Sequence, residues 1–126
     1  MSLPQDLRYT ASHEWVRQEQ DGALTVGLTN HAQEALGDVI FLELPEIGQA
    51  CRQDDVCGVI ESVKAASDIY SPVSGKVVAV NTAAVDEPGK VNEQPYETWL
   101  FRIQPADTGE LQTLLSPQDY AQTAEN

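Results

Sequence analysis

Basic residues are scarce: seven lysines and arginines stand against 20 aspartates and glutamates, for a formal charge of −13. A chain this acidic repels phosphate backbones and anionic lipid, which argues against nucleic acid or a membrane surface as a partner. It suits solubility, or steering towards basic docking surfaces on other proteins. No apolar run approaches the roughly 20 residues of a membrane span. The N-terminus, MSLPQDLRYTASHEWV, has neither the basic start nor the apolar stretch of a secretory signal. Two cysteines, Cys51 and Cys57, make no disulfide framework. Their spacing matches neither a CxxC redox motif nor a zinc site, so they read as small residues on neighbouring stretches of chain. Methionine occurs once, as Met1.

What is present fits one domain over residues 1–126. HEWV (13–16) and ALTVGL (23–28), with Asp21-Gly22 between, predict a strand, a turn and a strand. In TNHAQEALG (29–37), Thr29 or Asn30 can cap a short helix that Gly37 stops. DVIFLEL (38–44) predicts an apolar strand ended by Pro45. CRQDDVCGVIESV (51–63) is a polar turn and a β-branched strand, and strand character resumes in 68–70 and again from Lys76. Residues 81–95 predict a long loop with one helical turn, and TWLFRI (98–103) a last strand. Asp107 with Glu110, then Ser116-Pro117 with Asp119, predict two short C-terminal helices. Many short strands with tight turns indicate a mainly β sandwich or barrel with helices at its edges. A faint repeat, Gly37-Asp38-Val39-Ile40 and Gly75-Lys76-Val77-Val78, would suit two half-domains related by a pseudo-twofold.

Of the three lysines, Lys76 opens a strand and Lys90 follows Pro88-Gly89 in a turn; both read as solvated surface charges. Lys64 falls midway between Val56–Ile60 and Asp68–Tyr70, at the tip of a predicted hairpin. A lysine that another enzyme must acylate needs that place, where the modifying enzyme reaches it and the arm swings freely. Spacing alone does not distinguish it from an ordinary surface lysine.

ESVKAASDIYSPVSGKV (61–77) resembles the lipoylation segment of the glycine cleavage system H protein family. HEWV (13–16), TVGLTNHAQEALGDVIFLELPEIG (25–48), VNEQPY (91–96) and WLFRI (99–103) match in the same order, so the likeness covers nearly the whole chain. It implies a barrel-sandwich hybrid of two small antiparallel sheets with a lipoyl hairpin, and flanking helices near 29–36 and at the C-terminus. It implies that Lys64 carries a covalent lipoate, and that the protein is a carrier whose chemistry belongs to the cofactor. The implied partners are a pyridoxal-phosphate glycine decarboxylase, a tetrahydrofolate-dependent aminomethyltransferase, a flavin dihydrolipoyl dehydrogenase and a lipoyl-attaching enzyme. The carrier is expected to be a monomer. An aminomethyl group on the lipoyl sulfur survives if its nitrogen stays protonated beside a carboxylate, away from water. By resemblance, Ser12, Glu14 and Asp68 form that protective site. One departure is the run Pro95-Tyr96-Glu97-Thr98-Trp99, where the family usually places glycine before the tryptophan.

Other carriers fit less well. Lipoyl domains of 2-oxoacid dehydrogenases centre on a DKA tip and are fused to larger chains; here the tip is VKA. Biotin carriers flank their lysine with methionine, and phosphopantetheine carriers need a serine on a helical bundle. A cysteine redox enzyme lacks a neighbouring histidine or helix start to lower a thiol pKa. A lipoyl relay, donating its group to other proteins, would need the same lysine and hairpin. The N-terminus favours a bacterial cytoplasm, although a mature mitochondrial form would look similar.

Overall fold

The computed structural model describes residues 4–125, with side chains as far as Gln122. In chain order the elements are β1 (Arg8–Tyr9), β2 (Glu14–Gln18), β3 (Leu24–Leu28), α1 (Asn30–Leu36), β4 (Val39–Glu43), β5 (Ala50–Cys51) and β6 (Val56–Ser62). There follow β7 (Ala66–Tyr70), β8 (Gly75–Val80), α2 (Thr82–Asp86), α3 (Lys90–Glu93), β9 (Phe101–Pro105), a 3-10 helix (Thr108–Thr113) and α4 (Pro117–Glu125). All pairing is antiparallel, in a six-stranded sheet ordered β1-β2-β3-β9-β8-β5 and a three-stranded sheet ordered β4-β6-β7. The mainly β, two-sheet expectation holds. Of the two similar strings, one opens β4 and the other β8, in different sheets.

Period-two alternation in β2 sorts side chains to two cores. Val16 joins Val26, Leu42, Ile60, Ile69, Phe101 and Ile103 in the larger core. Trp15 points the other way, into a smaller cluster with Leu7, Tyr9 and Tyr120. There Tyr9 and Tyr120 stack at 4.8 Å and so hold α4 against the six-stranded sheet. Thr29 caps α1 by accepting from the Ala32 N–H. Gly37, at φ 81°, ends that helix in a conformation that disfavours any side chain.

Some boundaries differ from the sequence expectation, for local reasons. The expected loop over 81–95 contains two helical segments, α2 and α3. The last strand starts at Phe101 rather than Thr98, because the Thr98 N–H bonds Gln94 O and its hydroxyl bonds Lys90 O, closing α3. The first tail helix is a 3-10 helix, capped by Asp107 on the Gly109 N–H. No glycine is needed before Trp99, since no residue between Gly48 and the last described residue has positive φ except Asp54.

The β2–β3 pairing sets Trp15 opposite Gly27, and a Cβ on Gly27 would lie 2.4 Å from the indole carbons. The indole N–H is tied to Pro95 O at 2.9 Å, so the ring has little room to yield. Gly27→Ala is therefore expected to lose about 2–3 kcal/mol in urea unfolding, the cost of overpacking a fixed core. A wild-type midpoint would show that the indole can move aside.

Candidate functional site

The hairpin tip is closed by one serine that the sequence reading passed over. Ser62 donates its N–H to Ala65 O at 2.7 Å, while its hydroxyl oxygen accepts from the N–H groups of Lys64 (3.3 Å) and Ala65 (3.1 Å). The same hydroxyl donates to Ala65 O. Ser62 is buried and Val63, Lys64 and Ala65 are exposed, so the lysine stands on a tied turn. The tip is also held from the side, where the Val63 N–H donates to Asp38 O at 3.0 Å. Asp38 in turn sits in a corner fixed by Asn92. The Asn92 amide accepts from the Val39 N–H (2.8 Å) and donates to Gly37 O (2.8 Å) and Gln33 Oε1 (3.0 Å). The Lys64 stem passes over this corner, for a Cβ on Gly37 would lie 3.3 Å from Lys64 Cε. Lys76 and Lys90 lie exposed elsewhere, Lys90 beside Glu87.

Next to the tip runs a cleft of about 300 Å³. Ala32, Ala35 and Leu36 of α1 form one wall with Leu28 and Ile60, and Ser12 and His13 close one side. Residues 65–68 line the cleft beside Ile60, the cross-strand partner of Ser67. Consecutive residues on a strand face alternately, so three in a row from β7, 66–68, mean that its free edge itself forms this part of the lining, with Ala65 of the turn before it.

The expected site residues fall into two groups. Glu14 is almost wholly buried, and its Oε1 accepts from Ser12 Oγ at 2.5 Å and from the Thr10 hydroxyl. Its Oε2 accepts the Tyr70 N–H at 3.3 Å, on the outer edge of β7. Ser12 lines the cleft and Glu14 lies beneath it. Asp68 is exposed and bonds neither residue through its carboxylate. It pairs with Val59 while Ser67 pairs with buried Ile60, so the pleat turns Asp68 to the face away from Ile60 and it meets the cleft at the strand edge. Ser67, unnamed by the sequence reading, shares the face of Ile60.

Residues outside the expected set also join the cleft, through contacts invisible to local pattern. His13, held at φ 73°, shares its Nδ1 with the Tyr120 hydroxyl at 2.7 Å. That hydroxyl also meets Thr29 Oγ1 at 2.7 Å. Burial, and then the His31 ring 4.4 Å away, hold the His13 imidazole below its ordinary pKa. Burial pushes the Tyr120 hydroxyl up to about 12, which keeps its bridging proton in place. Cys51 and Cys57 are both buried with free thiols, and burial pushes both thiols up, away from the reactive thiolate.

Burial also raises the Glu14 carboxyl above its ordinary value of 4.5, outweighing the hydrogen bonds from Ser12, Thr10 and Tyr70 that favour its charge; Asp54 adds to the rise. A raised folded-state pKa means that folding favours the proton. Its stabilisation is complete below pH 4.5 and is lost as pH rises through the folded-state value. Against Glu14→Gln, the wild type should therefore lose unfolding free energy as pH rises from below 4.5 to neutrality, read by urea unfolding. A gain over that range would mean that the hydrogen bonds prevail over burial.

The family model described as "Glycine cleavage H-protein" matches residues 7–126. The glycine cleavage system H protein of Aromatoleum aromaticum is 57% identical over 119 residues, covering 94% of this chain and 93% of its own. That of Paraburkholderia xenovorans is 55% identical over 123 residues, covering 98% of both. Among solved structures, a glycine cleavage system H protein from Mycobacterium marinum superposes with a TM-score of 0.89 at 42% identity, covering 98% of this chain and 100% of that one. With the fold, the hairpin and the whole length in agreement, the chain belongs to the glycine cleavage H-protein family.

Proposed function

We propose that this protein is the lipoyl-bearing carrier of the glycine cleavage system, with the lipoyl group joined by an amide to Lys64 Nζ. One observation carries the reading. An exposed lysine stands on a turn tied by Ser62, directly beside a cleft with an apolar wall. The residues present fit such a group: the stem crosses Gly37 where a side chain would crowd it, and Ala32, Ala35, Leu36 and Ile60 suit an aliphatic chain. When bound, lipoate supplies a dithiolane that takes up an aminomethyl group and returns as a dithiol for reoxidation. The partners in this reading are the glycine decarboxylase, the aminomethyltransferase, the dihydrolipoyl dehydrogenase and the lipoyl-attaching enzyme. Tethering keeps the arm at high effective concentration in each of their active sites.

The chain's own part is to shield a cationic cargo. Ser12 presents its oxygen at the cleft wall, fixed there by its bond to Glu14. Asp68 adds an exposed carboxylate at the opposite edge, where it would hold an ammonium proton against loss. Glu14 acts from beneath, orienting Ser12 and supplying negative charge from a dry position. The apolar wall limits water at the same place.

Intact mass with peptide mapping, after exposure to a lipoyl-attaching enzyme, should find one lipoyl amide on Lys64 and none on Lys76 or Lys90. Lys64→Arg should abolish both the mass gain and glycine-dependent carbon dioxide release, with an unchanged circular dichroism spectrum. Activity surviving in Lys64→Arg would end the assignment. Ser12→Ala, Glu14→Ala and Asp68→Asn should each shorten the hydrolysis half-life of the loaded carrier; any variant with an unchanged half-life leaves the shielding group.

A further inference from the structure

Beside the hairpin tip, β4 does something its alternation does not require. Val39 pairs with Ser62 and Phe41 with Glu61, so the register slips by one residue at Ile40. This bulge keeps Val39 and Leu42 buried while turning both Ile40 and Phe41 outward, 59% and 45% exposed. Val63, 67% exposed, lies next to them, since its N–H bonds Asp38 O. Single exposed apolar residues are unremarkable, but two on an edge strand with a third on the turn beside them mark an interaction surface. The rim of this patch is acidic: exposed Asp38 precedes it, exposed Glu61 faces Phe41 and exposed Glu43 follows.

The reach of the lysine limits which partner covers such a patch. From ordinary bond lengths, Nζ of an unmodified lysine extends about 6 Å from its Cα. An enzyme acting on that nitrogen has to bring its own surface onto the residues flanking the tip. Enzymes that act on the far end of a finished arm can stand further off.

We propose that Ile40, Phe41 and Val63, within the acidic rim of Asp38, Glu43 and Glu61, form the docking surface for the enzyme that acylates Lys64, and that this enzyme presents an apolar centre ringed by lysine or arginine. The inference rests on the assignment of Lys64 as the modified residue. The apolar centre supplies affinity by excluding water, and the opposite charges of the two rims supply orientation and on-rate.

The test uses the unmodified full chain with a lipoate ligase, lipoate and ATP, following the mass of the chain over time. Phe41→Ser and Ile40→Ser should each raise KM for the carrier about tenfold, as loss of a central interface residue does, with kcat unchanged. Val78→Ser, which alters a valine 44% exposed in β8, should change neither value. Added salt should raise the wild-type KM, and less steeply in Glu43→Gln. An unchanged KM in the Ile40→Ser/Phe41→Ser double variant overturns the proposal, as does a fall in kcat alone, which would mark a distorted hairpin. Normal lipoylation with loss of the glycine decarboxylase reaction would also overturn it, by giving the patch to another enzyme. If the wild type itself gains no lipoyl group on Lys64, the assignment of the lysine fails instead.

Discussion

The side-chain amide of Asn92 makes three hydrogen bonds, to the Val39 N–H, Gly37 O and Gln33 Oε1, and the elements around Lys64 hang from them. They join the end of α1 to the start of β4 and fix the corner between. From that corner Asp38 O holds the Val63 N–H, and Gly37 leaves room for the Lys64 stem. Only an amide serves here. Asp would accept from Val39 but offer no donor to Gly37 O or Gln33, and a hydroxyl could not span all three partners. With Ser62 closing the turn from inside, the base of the arm is fixed while the lysine beyond it stays exposed.

Glu14 plays the matching part at the other end of the cleft. It belongs to the six-stranded sheet, yet its Oε2 takes the Tyr70 N–H from the free edge of the three-stranded one. A buried carboxylate is expensive unless its lone pairs are occupied, and Thr10, Ser12 and Tyr70 occupy them. Antiparallel pairing directs alternate residues of an edge strand outward, so Ala66 and Asp68 share the outward direction of Tyr70. Tyr70 is capped by protein at the seam, whereas the residues nearer Lys64 are left to line the cleft. The same acid therefore ends an open strand edge and orients Ser12.

Elements with a local cause were legible in the sequence. The β2–β3 hairpin, α1 with its Thr29 cap and Gly37 stop, and the lysine between two strands all follow from alternation, capping and turn chemistry. Ser62 was within reach, because a serine two residues before an exposed turn residue commonly bonds the backbone there. The short strands β1 and β5 were not, since pairs of residues such as Arg8–Tyr9 and Ala50–Cys51 carry no period and exist only through their partners. Asp68 shows another limit. Its distance along the chain from Lys64 says nothing of the face it takes, which depends on the register with β6. His13 and Tyr120 stand 107 residues apart, and no local pattern joins them.

That last contact explains what the N-terminal strands and C-terminal helix add to a hairpin and a lysine. Tyr120 lies in the smaller core, stacked on Tyr9, and its hydroxyl reaches both His13 at the cleft wall and Thr29 at the cap of α1. Thr29 Oγ1 already accepts from the Ala32 N–H, so its own proton is free for the Tyr120 oxygen, which then donates to His13 Nδ1. The reverse order satisfies the same atoms, with His13 donating to Tyr120 and Tyr120 to Thr29. In either order α1 and the Ser12–His13 turn are locked to one buried hydroxyl, and these are two walls of the cleft. Burial that raises the tyrosine and lowers the histidine keeps both neutral, so the lock places no cation beside the cleft. The hairpin alone would present a lysine; α4 and β2 fix two walls of the cleft beside it.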